Sequence, residues 1–272
     1  MRNGIVLAVV ILTLAGTSAV VLAASTSTDP NQVVKQQQVA KSPEPIGWWK
    51  LDETKGETAK DSSGNGFDAT VELGGGDAIW AAGEGFDANG CAKFTAKQYV
   101  LIPDGIWGKV KEQLSIAFWV NQDPNNPPDA NKWPGPWGCA SAEGLSYPAP
   151  NWLPLRAFLP TPEGNIDLGK DEENLFWAPG DATDYAGKWN HYVFVKDANE
   201  DTLRLYHNGE LAAQRYDATE PMPKVTNFII GGRNYPNADW NGKIDDFRIY
   251  NCALSQEDAK KLFDSKPGKA AK

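Results

Sequence analysis

Aromatic residues are concentrated in a polar stretch of the chain, residues 122–186, where proline, glycine and asparagine are frequent. Eleven tryptophans are a high number for a chain of 272 residues. Backbone of this composition favours surface loops, where binding residues tend to lie. Sugar rings present flat patches of C–H groups, which bind exposed indole or phenol rings flanked by amides and carboxylates. The stretch therefore predicts a carbohydrate-binding surface of loop aromatic residues, although such rings could instead only pack a long loop onto its own domain. The candidates are Trp133, Trp137, Tyr147, Trp152 and Trp177.

Catalytic groups are scarce by comparison. The sequence has two histidines, His191 and His207, and neither is accompanied by a serine or cysteine in a nucleophile motif such as G-x-S-x-G. Acidic pairs such as Glu172–Glu173 could flank a glycosidic bond, but acidic loop residues are usually only solvated. We therefore assign no catalytic residue and expect a noncatalytic protein. The alternative is a glycoside hydrolase or polysaccharide lyase without a recognised motif.

Two acidic positions offer oxygen ligands of the kind that calcium prefers. One is the turn Asp61-Ser-Ser-Gly-Asn-Gly, and the other is Asp245 in the segment KIDDFRIYN. Strand alternation places Asp245 on the same face as Phe247 and Ile249, where a charged carboxylate needs a partner. Asp61 could instead cap its own turn, and Asp245 could accept hydrogen bonds from backbone N–H groups or an arginine. Cation binding and capping both remain open here.

The elements that must position these residues are mostly strands. The segments HYVFVKD, TLRLYHNG and NFIIGGRN are short, rich in β-branched and aromatic residues, and separated by Asn-Gly or Gly-Gly, which predicts antiparallel pairing. In LSIAFWVN, apolar residues occupy both faces, as expected for a strand covered on both sides. A helix is predicted only near the end, where Ser255 and Asp258 have capping-box spacing ahead of Leu262 and Phe263.

The order of several motifs resembles a known superfamily. These are GWWKLDE (47–53), KDSSGNGFDATV (60–71), AKFTAKQYVLIPD (92–104), LSIAFWVN (114–121), GKWNHYVFVKD (187–197) and NGKIDDFRIYNCALSQEDAKKLF (241–263). Over residues 46–263 the chain resembles the laminin-G-like jelly rolls of the concanavalin A-like lectin and glucanase superfamily, of the secreted bacterial type. Residues 122–186 depart from that pattern, since they are longer and richer in proline and tryptophan.

The resemblance implies an all-β fold, a two-sheet antiparallel β-sandwich with a short C-terminal helix, and a binding role. The E-x-D-x-x-E strand of the hydrolase branch does not occur in this sequence. Relatives of this fold often carry a structural calcium ion, and by resemblance its ligands would be Asp61, Asn65 and Asp245.

The N-terminal residues predict export. Arg2 is followed by an apolar run to about Leu22 and then by small residues, which is typical of a signal peptide over residues 1–23. An uncleaved membrane anchor is the alternative, because the run approaches the length of a bilayer span. Residues 24–45 predict a flexible linker, 46–264 one domain, and 265–272 a flexible tail. We expect a secreted protein, at the cell surface, outside the cell or in the periplasm.

The net charge narrows the classes of partner that the protein is expected to bind. The formal net charge of −9 and the pI near 4.8 disfavour nucleic acid and anionic membrane surfaces, because the protein's field repels phosphates. We expect a glycan or polysaccharide ligand, with a surface protein-interaction or adhesion module as the alternative.

Cysteine pairing stays open. Three cysteines, Cys91, Cys139 and Cys252, leave at least one without an intramolecular partner. An exported protein could form one of three disulfides, or all three could be buried thiols.

Overall fold

The computed structural model describes residues 41–95, 97–125, 136–141, 155–157, 164–168, 174–177, 186–219, 225–232 and 240–265. The elements named here lie in one compact unit that begins at Pro43. The strands are β1 (Gly47–Trp49), β2 (Thr58–Ala59), β3 (Ala69–Glu72), β4 (Ala92–Phe94), β5 (Tyr99–Leu101), β6 (Gln113–Gln122), β7 (Trp137–Ser141), β8 (Leu155–Ala157), β9 (Gly164–Leu168), β10 (Asn174–Trp177), β11 (Asn190–Asp197), β12 (Thr202–His207), β13 (Glu210–Arg215), β14 (Val225–Ile230) and β15 (Gly242–Tyr250). A 3₁₀ helix spans Asp104–Lys109, and the helix α1 spans Gln256–Asp264.

The strands form two antiparallel sheets. Sheet A has the order β1-β15-β6-β11-β12-β13, with β4 also paired to β15. Sheet B has the order β10-β9-β8-β7-β14-β5-β3-β2. The order is not sequential, since β15 lies between β1 and β6, so the first and last of the described strands are neighbours. The predicted all-β sandwich with a short C-terminal helix is confirmed.

The space between the sheets is filled by aromatic and branched side chains. In sheet A, the ring of Phe118 lies 5.7 Å from that of Phe194 and 5.4 Å from that of Phe247. Trp137 of sheet B reaches across, with its ring centroid 5.6 Å from that of Phe194. Full burial of a ring this size contributes about 2–3 kcal/mol. These contacts join the two sheets into one core.

The outer face of sheet A is also covered. Helix α1 lies on it, and Ala259 packs with Val193, Val195 and Tyr206. The predicted capping box starts this helix: the Ser255 hydroxyl accepts from the Asp258 N–H, and the Asp258 carboxylate accepts from the Ser255 N–H, both at 3.1 Å. The apolar residues on both faces of β6 and β11 follow from this double covering.

A β-bulge in β15 changes which residues face the core. Asp245 pairs with Trp119, but Arg248 pairs with Ala117, so three steps along β15 match two along β6. The extra residue is Asp246, whose φ is 50°. Directly paired residues share a face, so Asp245 lies with Trp119 on the outer face of sheet A. The prediction that Asp245 shares a face with Phe247 and Ile249 is wrong, because simple alternation does not include a bulge.

Two of the three cysteines are free thiols in the structure. Cys91 is buried and Cys252 is half-buried. Burial raises the pKa of the Cys91 thiol to about 12, with a smaller contribution from Asp245. Cys91 and Cys252 are therefore not paired with each other, and the side chain of Cys139 lies outside the described residues.

Gly231 marks a close approach between the sheets. Its φ is 93°, and its N–H donates to the carbonyl of Pro136 at 2.7 Å. A Cβ at this position would lie 2.3 Å from two ring atoms of Phe94. The site therefore combines backbone strain and overlap for any larger residue.

We predict that Gly231→Ala lowers the free energy of unfolding by about 2–4 kcal/mol, because strain and overpacking add. Gly56→Ala is the matched control, since Gly56 has φ 86° but a Cβ added there would have nothing within 4 Å. The control should lose only about 1 kcal/mol. Urea unfolding of both variants measures the difference, and equal losses would contradict the packing argument.

His191 is buried where α1 meets sheet A. Its ring lies 5.0 Å from that of Trp119 and 6.4 Å from that of Phe263. Its Nδ1 makes no hydrogen bond to the part of the chain that the structure describes. Burial, together with the charge of Arg248, lowers the pKa of His191 to about 3. The imidazole is therefore neutral throughout the physiological range.

We predict that His191→Phe makes the protein less sensitive to acid. The unfolded chain binds a proton at His191 below about pH 6.5, whereas the folded chain does not until about pH 3, so wild-type stability falls as the pH drops through this window. Relative to the variant, the free energy of unfolding of the wild type should fall by about 1.4 kcal/mol for each pH unit below pH 6.5. Urea unfolding from pH 7 to pH 4 measures this, and parallel stability curves would refute it.

Candidate functional site

The structure assigns the predicted aromatic residues to different places. Trp137 lies in β7, is 0% exposed, and has its ring 5.2 Å from that of Phe228. The prediction that Trp137 is an exposed loop residue is wrong, because a strand of sheet B passes through this proline-rich stretch and turns the ring into the core. Trp133, Tyr147 and Trp152 lie outside the described residues.

Trp177 is partly exposed and lies at the edge of sheet B, in β10 rather than in a loop. Its ring lies 4.9 Å from that of His207 and 6.1 Å from that of Tyr192. The Nε2 of His207 is 2.9 Å from the Oδ1 of Asn190. These four residues are called the Trp177 cluster. Burial lowers the pKa of His207 to about 4, so the cluster is uncharged at neutral pH.

The Asp61 turn is closed by its own hydrogen bonds. The carboxylate accepts from the N–H groups of Trp48, Ser63 and Phe67 and from the Ser63 hydroxyl, at 2.8–3.0 Å. Partial burial opposes ionisation, but these hydrogen bonds outweigh it and lower the pKa of Asp61. Asn65 donates to the carbonyl of Ile46 and accepts from the Lys109 ammonium, both at 3.2 Å. The oxygens of this turn thus already face donors.

Asp245 lies at a separate position. It is 3% exposed, and its Oδ2 accepts from the N–H of Phe86 at 3.1 Å. Burial raises the pKa of Asp245 to about 8. Within the described ranges, no three His, Cys, Asp or Glu side chains are grouped so that they could hold a metal ion. Calcium binding by Asp61, Asn65 and Asp245 stays a prediction.

An open pocket of about 280 Å³ lies on the outer face of sheet A and is called the Trp48 pocket. Its wall consists of Trp48, Asp246 and Arg248. The Nε1 of Trp48 donates to Asp246 at 2.6 Å, and the guanidinium of Arg248 lies 4.4 Å from the Trp48 ring centroid. Arg248 also donates to both carboxylate oxygens of Asp246, at 2.8–3.0 Å. Such bidentate pairing fixes both side chains.

The rim of the Trp48 pocket carries polar groups of several kinds. Lys50 places its ammonium 5.1 Å from the Trp48 ring centroid. Phe86, Asp87 and Asn89 also line the pocket, and Asp87 accepts from the side-chain amide of Asn89 at 2.7 Å. Asp245 and Ser265 complete the lining. Phe86 stacks on Trp119 at 4.5 Å, and Asp52 is exposed.

Sequence reasoning missed this pocket. Trp48 was not among the candidate binding residues, and the structure buries Trp49 while Trp48 faces outward. The sequence contained part of this information, because adjacent strand residues such as Trp48 and Trp49 point to opposite faces. The same alternation places Asp246 and Arg248, which are two residues apart, on one face, and in the structure their side chains form an ion pair.

Comparison with protein families identifies the chain. A laminin-G model of the concanavalin A-like lectin/glucanases superfamily matches residues 94–260, more than half of the chain. The protein belongs to this superfamily. Among curated proteins, no sequence match was found.

Solved structures share the fold at low identity. Domain 4 of AbnA, a GH43 extracellular arabinanase from Geobacillus stearothermophilus solved with arabinotriose, matches with a TM-score of 0.56 and 19% identity, over 82% of this chain and 99% of that domain. The receptor-binding domain of botulinum neurotoxin C/D mosaic serotype matches with a TM-score of 0.59 and 17% identity, over 82% of this chain and 51% of that one. The binding domain of botulinum neurotoxin DC, in complex with SialylT, matches with a TM-score of 0.56 and 17% identity, over 83% and 52%. The chain spans about half of each toxin domain.

The two toxin structures are binding domains, and the likeness shows a common β-sandwich. In the described ranges, no helix has the length and apolar character needed to cross a membrane.

We predict that Asp61→Asn lowers the free energy of unfolding by about 1–3 kcal/mol, equally with calcium and with a chelator. The amide loses the charge and presents N–H groups to donors, so the turn is left under-satisfied. Asp77→Asn is the control, because the Asp77 side chain is exposed and its change should stay within about 0.5 kcal/mol. A loss that disappears in the chelator would instead make Asp61 a calcium ligand.

Proposed function

We propose that this protein is a secreted, noncatalytic domain that binds carbohydrate through aromatic residues. The observation that carries the proposal is Trp177, a partly exposed indole at the edge of sheet B, supported from within the sandwich by Tyr192 and His207. Trp133, Tyr147 and Trp152 remain predicted members of the same surface. Secretion rests on the signal-peptide pattern of residues 1–23.

The Trp177 cluster has the chemistry that a sugar requires. The indole offers an apolar ring, and the His207–Asn190 pair provides uncharged polar atoms next to it. An uncharged cluster does not depend on pH near neutrality, and hydrogen-bonding groups beside a ring are what fix the orientation of a sugar. Asn208 braces the pair, because its side-chain amide donates to Asn190 at 3.2 Å.

The described histidines support a noncatalytic role. His191 lies under α1, and His207 is held by Asn190 and by the ring of Trp177. A general base must reach a substrate proton within hydrogen-bond distance, and a ring buried like that of His191 has no route to one. The arabinotriose complex of the arabinanase domain shows that a related sandwich holds a sugar, which supports the choice of ligand class.

We predict that Trp177→Ala weakens binding to the polysaccharide recognised by the full chain by about 10- to 30-fold, because a stacked aromatic ring contributes about 1.5–2 kcal/mol. A glycan array, followed by pull-down on insoluble arabinan, xylan, cellulose and chitin, finds the ligand. Trp177→Phe should lose less, because it retains a ring. This second variant keeps the test valid if the alanine variant is unstable.

Tyr216→Ala is the matched control for this experiment. Tyr216 is 67% exposed and follows β13, whose other end pairs with His207. Six strand residues separate these ends, a distance of about 20 Å. Unchanged binding by both Trp177 variants would remove the Trp177 cluster from the proposal, and no binding of the wild type to any glycan would remove carbohydrate as the ligand.

A further inference from the structure

The Trp48 pocket and the Trp177 cluster lie on opposite faces of sheet A. Trp48 is paired with Arg248, and both face outward, beyond the bulge in β15. Trp177 instead contacts Tyr192, which belongs to the core between the sheets. A ligand in one place therefore cannot touch the other.

The wall of the Trp48 pocket is fixed before any ligand arrives. Asp246 accepts from Arg248 and from Trp48, which satisfies the charge of the guanidinium and the indole N–H together. The side chains of Arg248 and Asp246 are only 18% and 13% exposed, so they are held within the protein surface. Groups that are already paired do not need to be neutralised by a ligand. This wall offers shape and an aromatic ring rather than a free charge.

The rim determines which ligand chemistry fits. Asp52 and Asp87 provide acceptors, Lys50 provides a donor, and the amide of Asn89 provides both, while Phe86 adds an apolar surface. A sugar hydroxyl donates and accepts at once, so a mixed rim suits a polyhydroxylated ring. Among the side chains that line the pocket, the carboxylates of Asp52, Asp87 and Asp246 outnumber the cations of Lys50 and Arg248, and the buried carboxyl of Asp245 lines the pocket as well. The excess negative charge disfavours an acidic sugar.

The size of the pocket limits the ligand. A volume of about 280 Å³ lies at the lower end for ligand pockets, which suits about one sugar ring rather than a long oligosaccharide. The pocket is open to solvent, so the ring can be the end or a branch of a longer chain.

We propose that the Trp48 pocket is a second binding site, which takes one uncharged sugar residue. The inference rests on the proposed function for its ligand class, but on different residues. With sites on two faces, one domain can contact two chains of a polysaccharide, and linked contacts raise the apparent affinity without any new contact.

The test is fluorine NMR of the full chain labelled with 5-fluorotryptophan. Trp48→Phe and Trp177→Phe each remove one resonance and so assign the two reporters. The probes are glucose, galactose, arabinose, N-acetylglucosamine and glucuronate, each titrated to millimolar concentration. At least one uncharged sugar should shift the Trp48 resonance, and the shift caused by glucuronate at the same concentration should be at least fivefold smaller.

Exposed rim residues provide the matched variants. The double variant Asp52→Ala/Asn89→Ala should raise the dissociation constant reported by Trp48 about tenfold, because two hydrogen bonds are lost. Glu112→Ala is the control, since Glu112 is exposed and seven residues along from Trp119, about 20 Å away. The control should leave the titration unchanged.

Each outcome decides one of the two proposals. A shift at Trp177 without a shift at Trp48 overturns the second site and leaves the proposed function intact. A shift at Trp48 alone supports the second site and removes the Trp177 cluster. Equal shifts with glucuronate, or equal titrations of the double variant and wild type, overturn the ligand assignment of the pocket. No shift at either resonance overturns the second site, whereas the proposed function is overturned only if the full chain also binds no glycan on the array.

Discussion

The bulge at Asp246 is the constraint on which the outer face of sheet A depends. Strand β15 pairs with β1, β4 and β6, so one inserted residue changes the face of every side chain on one side of it. Ile244 and Phe247 both face the core, although residues three apart in a regular strand would face opposite sides. They can do so because Asp246 is the extra residue of the bulge. Without the bulge, either the apolar residues of β15 would face outward or its charged residues would face the core.

The same inserted residue also organises the charges. The Asp246 carboxylate accepts hydrogen bonds from the Arg248 guanidinium and from the Trp48 indole N–H. The buried carboxylate therefore has two donors and is not left without partners in an apolar environment. Removing one partner of such a pair usually costs more than the pair contributes, because the other charge is left without compensation. The packing of β15 and the polarity of the pocket therefore rest on the same residue, the first through its backbone and the second through its carboxylate.

Much of the fold could be predicted from local patterns, and much of the site could not. The Asn208-Gly209 turn, the alternation in β6 and the capping box at Ser255 are short-range signals, since each depends on neighbours a few residues away. The burial of Trp137 and the reversal at Asp245 depend on pairing with strands far along the chain. Composition suggested a loop at Trp137, but the partners that bury it, Phe194 and Phe228, lie far along the chain.

Cys91 shows what dense packing does to reactive chemistry. Its Sγ is enclosed between β4 and the residues around Ala81, and its high pKa keeps it in the thiol form, which is a poor nucleophile. Oxidants and alkylating reagents can reach this sulfur only after the corner of sheet A next to β4 has separated. In an oxidising compartment, the folded chain would thus carry a thiol whose lifetime is set by how often that corner opens, not by the redox potential around it.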